Sequence, residues 1–170
     1  MTEIQAYEVV EDLPGFQLRR YAPHTIVTKP MPGSLSQSGS QAFGYLADYI
    51  FGNNESSMKI AMTAPVLQQK TSTGFEVSFV MPSEMTSPPA PRTDLKISRV
   101  EGKLMAAFRF SGSASDALFE SKAERLLKAI AGSRYAPVSE VMFARYDGPW
   151  TLPLIRRNEV LVEVVPTEAP

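Results

Sequence analysis

The chain has 170 residues, 44% of them apolar and 21% charged, with a formal net charge of −1. That length suffices for one compact unit, and that charge gives no field for holding a polyanion, so nucleic acid is not an expected partner. With no cysteine and a single histidine, disulfides, thiolate nucleophiles, thiolate metal sites and a protein-built zinc or iron centre are all excluded as expectations.

From the start of the chain, the acidic residues Glu3, Glu8, Glu11 and Asp12 rule out the pattern of a secretory signal, and no stretch is apolar for long enough to span a bilayer. A cytoplasmic location without membrane insertion is the expectation. FQLRRY (16–21) and HTIVTK (24–29) then read as strands. A helix follows, with Phe43, Leu46, Ala47 and Ile50 at i, i+3, i+4, i+7 spacing, Ser36, Ser38 or Ser40 as its cap and Gly52 as its stop. IAMTAPVL (60–67) and FEVSFVM (75–81) close the first half as strands.

SPPAPR (87–92) is extended and polyproline-like, and it reads as a connector rather than a ligand for an SH3-type domain. Beyond it the order recurs. LKISRV (95–100) and LMAAFRF (104–110) are strands, and Phe119, Ala123, Leu126, Leu127 and Ile130 form a helical stripe capped by Ser113 or Ser115 and stopped at Gly132. VSEVMFARY (138–146) and EVLVEVV (159–165) are the last strands. The pattern predicts an α+β fold in which a strand-strand-helix-strand-strand unit is duplicated: half-repeats of about 7–86 and 93–166, connector 87–92, in one domain spanning 1–170. Alternation suggests antiparallel hairpins, and eight such strands with two flanking helices would close into a small barrel.

Enzyme signatures are scarce: GxSxG, HExxH, GxGxxG and phosphate loops are missing, and the one SxxK match, Ser56 to Lys59, lacks the accompanying SDN or KTG element. The expectation is a protein that is not an enzyme. His24 lies in YAPHT, read as the turn between the first two strands; it is either an exposed turn residue or an accessible nitrogen for a porphyrin metal. Arg156 and Arg157 either grip a carboxylate at a groove rim or form a solvated pair. Met58 and Met62 flank the third strand near the first helical stripe, and flexible thioethers suit a flat apolar ligand as well as an ordinary core.

Several stretches in order resemble the SOUL family of haem-binding proteins: YEV (7–9), FQLRRYAP (16–23), YIFGNN (49–54), MKIAMTAPV (58–66), SFVMPSE (78–84), PPAP (88–91), YDGPW (146–150) and RRNEV (156–160). The resemblance implies two halves related by a pseudo-twofold axis, forming a distorted antiparallel eight-stranded barrel flanked by two helices. It also implies that haem or a free tetrapyrrole lies in a groove beside the first helix, with the loop before the last strand as the other wall. Carried onto this sequence, the helix contributes Phe43, Ala47 and Ile50, the third strand Met62, and the loop Trp150 and Leu152. At the position where some relatives carry a histidine before the tyrosine, this chain has Arg20. Where relatives carry basic residues toward the propionates, it has Asp48 and Thr151, leaving His24, Arg156 and Arg157 to serve instead.

Burying about 400 Å² of macrocycle at about 25 cal/mol per Å² gives roughly 10 kcal/mol before association costs of several kcal/mol, so micromolar affinity needs an added polar contact, and binding without strong iron ligation is compatible with buffering or carriage. A haem or other tetrapyrrole is expected as a ligand that is not obligatory. The duplicated barrel also looks like the ligand-binding fold of bacterial effector-binding regulators, which take small apolar or cationic ligands over a buried acid; Glu76, Glu140 and Glu163 are the candidates for that acid.

Overall fold

The computed structural model describes residues 2–113, 115–148 and 150–167. In chain order these form β1 (Glu3–Ile4), β2 (Tyr7–Leu13), β3 (Phe16–Tyr21), β4 (His24–Pro32), α1 (Leu35–Ile50), β5 (Thr63–Ala64), β6 (Val66–Lys70) and β7 (Gly74–Val80). There follow β8 (Lys96–Val100), β9 (Lys103–Phe110), α2 (Asp116–Ala131), β10 (Tyr135–Pro137), β11 (Met142–Arg145), a 3-10 turn (Pro153–Ile155) and β12 (Asn158–Pro166). The fold is α+β, as the pattern of the sequence predicts. Among the described residues twelve strands stand where eight were expected: β1, β2 and β10 are additional, and the run 60–67 divides into β5 and β6 around the cis peptide Ala64–Pro65.

The chain folds as two compact units. Unit 1 comprises residues 1–5 and 23–101, and unit 2 comprises 6–22 and 102–170. In unit 1 the antiparallel order is β6-β7-β4-β8, and β1 pairs in parallel with β5. In unit 2 the antiparallel order is β2-β3-β9-β12-β11, with β10 on the far end of β12.

This corrects the expected hairpins. β3 pairs with β2 and β9, and β4 with β7 and β8, so the first two predicted strands are not partners. Only Ala22 and Pro23 separate them, and a proline with fixed φ and no N–H passes the chain onward instead of turning it back. The exchange is reciprocal, since β8, the first strand predicted in the second half, pairs with β4 of the first. The sequence half-repeats are therefore not the compact units.

SPPAPR is likewise not a connector between units. It lies on the C-terminal end of α1 within unit 1: the Tyr49 hydroxyl donates to Pro89 O at 2.6 Å, Glu55 N to Ala90 O at 2.9 Å, and Arg92 Nε to Asn54 O at 2.8 Å. Proline-rich backbone has carbonyls but few donors, so it is fixed by donors from elsewhere.

α1 begins earlier than the serines suggested. Ser34 is the cap, its Oγ accepting from Gln37 N at 3.2 Å while Gln37 Oε1 accepts from Ser34 N at 3.5 Å, a reciprocal capping box. Ser38 is buried inside the helix, and beneath it Gln68 Nε2 donates to Leu35 O at 2.9 Å and to Ser38 Oγ at 3.3 Å. Leu46, Tyr49 and Ile50 bury against β4 and β7 of the same unit. In unit 2, Ser115 caps α2, and Phe119 packs edge-on between Phe110 and Phe143 at 5.3 and 4.8 Å between ring centres.

Two glycines of α1 have opposite surroundings. A Cβ on Gly39 would lie 2.8 Å from the buried Gln68 Oε1, whereas one on Gly44 would meet nothing within 4 Å. Gly39→Ala is expected to destabilise by about 1–3 kcal/mol through overpacking, and Gly44→Ala to stabilise by about 0.5–1 kcal/mol through helix propensity. Urea unfolding checks both: the midpoints move in opposite directions with unchanged slopes.

Candidate functional site

The outer face of α1 carries apolar surface that unit 1 does not bury. Phe43, Ala47 and the C-cap Phe51 follow i, i+4, i+8 spacing on one side of the helix, with Phe43 46% and Phe51 69% exposed. Between them along the helix lie Gly44, whose surroundings are open, and Ala47, which is buried. Phe43 is held in place by an edge-on contact with Phe79 of β7, 5.4 Å between centres. Ile50 is turned into the sheet at 1% exposure and contributes no surface. The predicted stripe 43-46-47-50 thus straddles two directions, since Leu46 and Ile50 belong to the core and Phe43 stands at its margin.

Met62 is half-buried beside Thr63, whose hydroxyl donates to Val80 O at 2.5 Å, while Met58 is exposed. Asn54 shapes the loop that carries Met58: its Nδ2 donates to Tyr49 O at 3.0 Å and Met58 O at 2.8 Å, and its Oδ1 accepts from Ser56 N and Met58 N at 3.2 and 3.0 Å. Asp48 is exposed on the helix and accepts from Asn53 Nδ2 at 2.5 Å.

His24 is the first residue of β4, half-buried and in register with Val100 of β8, so it does not sit at the tip of a hairpin. Arg20 is exposed on β3. Among the described residues no group of three or more histidine, aspartate or glutamate side chains could hold a metal ion.

Unit 2 buries a charge cluster on the face of its sheet opposite α2. Glu159 of β12 has no exposed surface. Arg19 of β3 grips it bidentately, Nη1 to Oε1 at 2.7 Å and Nη2 to Oε2 at 2.8 Å. Arg157 donates to Oε2 from Nε at 3.2 Å and from Nη2 at 3.0 Å, and the Tyr146 hydroxyl donates to Oε1 at 2.9 Å. Around this core, Arg19 Nη1 donates to Tyr21 OH at 3.0 Å and Arg157 Nη2 to Tyr7 OH at 2.9 Å. The two guanidinium carbons lie 4.1 Å from the Tyr7 ring centre and 3.8 Å from the Tyr146 ring centre, respectively.

The electrostatics follow from burial. Desolvation pushes the Glu159 carboxyl upward, but the hydrogen bonds and charges of Arg19 and Arg157 outweigh it, so the group is held below its ordinary 4.5. Burial, followed by the opposing charge of Arg19, leaves the Tyr21 hydroxyl at about 12. Burial and the Glu159 charge raise Tyr146 well above its ordinary value, which keeps its hydroxyl a donor at neutral pH.

Arg157 is therefore neither the solvated side chain nor the free carboxylate grip of the sequence reading: its guanidinium is engaged inside unit 2. Arg156, half-buried, donates from Nε to Thr151 O at 2.7 Å. Of the candidate buried acids, Glu76 and Glu140 are exposed and Glu163 pairs with Lys103 at 3.5 Å; Glu159, which was not among them, is the buried one. The sequence signal for it is RRNEV on a strand, where Arg157 and Glu159 at i, i+2 share one face.

Trp150 and Leu152 lie in the loop joining β11 to β12, 84% and 69% exposed. The indole lies over Gly148, where a Cβ would come within 2.2 Å of the ring, so that glycine is required by the ring's position.

Glu159→Gln leaves two buried guanidiniums undercompensated and is expected to cost about 3–5 kcal/mol in urea unfolding. Tyr146→Phe removes one charge-assisted hydrogen bond and is expected to cost about 1.5–3 kcal/mol. Because Glu159 titrates lower in the folded state, its contribution is present above pH 4.5 and is lost as pH falls through the folded value. Stability measured from pH 7 downward should fall in that window, and less steeply in Glu159→Gln.

No curated protein matches the chain by sequence. Among solved structures, the C-terminal domain of EcmrR superposes with a TM-score of 0.66 at 11% identity, covering 95% of this chain and 99% of that one. EcmrR in a DNA complex superposes at 0.65 and 11% identity, over 92% of this chain and 59% of that one. A protein described as a hydrolase from Listeria innocua superposes at 0.56 and 11% identity, over 87% and 91% of the two chains. At such identities the likeness shows the fold alone. The sequence model of the SOUL heme-binding proteins matches residues 2–163, and the chain therefore belongs to the SOUL heme-binding protein family.

Proposed function

We propose that this protein binds haem or an iron-free tetrapyrrole with the macrocycle laid flat on the outer face of α1, acting as a cytoplasmic buffer or carrier. The observation that carries the reading is a pair of phenylalanine rings, Phe43 and Phe51, exposed on one side of α1 with open space over Gly44 between them. Membership of a haem-binding family supplies the ligand class. Small residues let a flat ring approach the helix, and aromatic rings at the margin give it edges to pack on.

The residues suit the macrocycle better than the metal. α1 contains no histidine, cysteine or methionine, so its face offers no imidazole, thiolate or thioether to iron. In this reading, affinity comes from apolar contact with the ring plane, and iron adds little. The role is non-enzymatic: in the buried cluster, Glu159, both arginines and the tyrosine hydroxyls are bonded to one another.

The cationic-ligand alternative has less support. Its buried counter-charge would be Glu159, whose two oxygens already accept from Arg19, Arg157 and Tyr146.

Titration of the full chain with haemin and with iron-free protoporphyrin is expected to give saturable changes in the Soret band, with dissociation constants within about threefold of each other, a difference below 1 kcal/mol. Gly44→Leu fills open space, should keep or raise the unfolding midpoint, and should weaken both ligands by at least about tenfold. A non-saturable response, or unchanged binding in that folded variant, removes the proposal.

A further inference from the structure

We propose that the loop between β11 and β12 seats Trp150, Leu152, Leu154 and Ile155 in the interfacial layer of a lipid bilayer, holding the protein reversibly on a membrane surface. These four side chains are 69–87% exposed and lie within six consecutive positions. Between Asp147 and Arg156 the sequence contains no ionisable residue. One indole and three aliphatic chains on a projecting turn match the composition of segments that settle at the headgroup boundary, where tryptophan is favoured.

The backbone of the turn points to lipid as the partner. Thr151 N donates to Gly148 O at 3.1 Å, Ile155 N to Leu152 O at 3.0 Å and Arg156 N to Pro153 O at 3.3 Å. Pro153 has no N–H, its carbonyl also accepts from Gly112 N at 2.8 Å, and Thr151 O accepts from Arg156 Nε at 2.7 Å. Leaving water strands polar backbone unless it is already bonded within the protein. Here Thr151 and Ile155 donate, and Thr151, Leu152 and Pro153 accept, within the protein, so part of the tip's backbone keeps its partners while a shallow seat leaves the rest at the hydrated headgroup level. A stable protein partner usually covers about 800 Å² on each side, more than four side chains on one turn present. The contact is a shallow seat, different in kind from a spanning helix, and no helix among the described residues is long and apolar enough to cross a membrane.

Trp150 is the only tryptophan in the chain, so its emission reports the tip directly. The test adds phosphatidylcholine vesicles to the full chain in the absence of any porphyrin, which lets this proposal and the tetrapyrrole reading fail independently. The expected result is a shift of Trp150 emission to shorter wavelength and quenching by brominated acyl chains. With a net charge of −1, partitioning should be insensitive to salt. Leu154→Glu combined with Ile155→Glu, whose circular dichroism should match the parent, is expected to lower vesicle partitioning at least about tenfold. Emission unchanged by vesicles overturns the proposal. So does binding seen only with anionic lipid and abolished by salt. A shift that tracks protein concentration without lipid also overturns it, assigning the patch to a second copy of the chain.

Discussion

A buried carboxylate is tolerable only when its hydrogen-bonding capacity is met, and meeting the demands of Glu159 organises unit 2. The donors come from β3, from the residue preceding β12 and from the residue following β11, and Arg157 passes the connection on to Tyr7 of β2. A slip of one residue in any of these strands would turn its contributing side chain to the α2 face and leave charge unpaired. The cluster thus specifies register across the sheet more strongly than the surrounding valines and alanines can, because apolar packing tolerates alternatives of similar volume. It also gives a physical reason for β2 and β3 to join strands more than 80 positions later in the chain rather than their sequence neighbour β4.

Unit 1 meets the same need with neutral amides. Gln68 fixes the start of α1 from beneath, and Asn54 fixes the turn that follows it, each through side-chain hydrogen bonds to backbone. Both act on the inner side or the ends of the helix. The outer face is left without a structural task, and what it carries is uneconomical for stability alone: an interior glycine worth about 1 kcal/mol less than alanine, and two phenylalanine rings in water. Phe43 meets the sheet only at its edge, through Phe79, and the remaining exposed ring surface is what the proposed ligand would cover.

The sequence made the helices and most strands legible because hydrophobic period survives in them: Phe119, Leu126 and Ile130 are buried in α2 as the stripe predicts. β2 was invisible because YEVVEDL exposes most of its side chains, so no alternation marks it. The hairpin pairing failed for another reason. Adjacency in the chain is a good guide to adjacency in a sheet, but Ala22-Pro23 and Glu101-Gly102 are the points at which the chain leaves one unit for the other. Of the helix residues expected to face a ligand, Phe43 is exposed while Ala47 and Ile50 are buried, and the exposed Phe51 was not among them because it follows the last apolar position of the stripe. Glu159 was missed because two arginines and a glutamate in five residues read as a solvated segment, and only the strand pairing shows that β3 brings a third charge to it.

That third charge decides what kind of ligand the molecule is suited to. With Arg19 and Arg157 cationic, Glu159 anionic and the Tyr21 and Tyr146 hydroxyls protonated, these buried groups carry one net positive charge. A cationic ligand competing for Glu159 would have to displace a guanidinium and leave it buried without its partner, a loss of several kcal/mol that the new contact would first have to offset. An anionic ligand gains nothing from arginines whose geometry is already fixed on the carboxylate. The charged groups of the cluster are thereby engaged with one another, and the exposed apolar surfaces on which the two proposals rest lie on α1 in one unit and on the loop before β12 in the other.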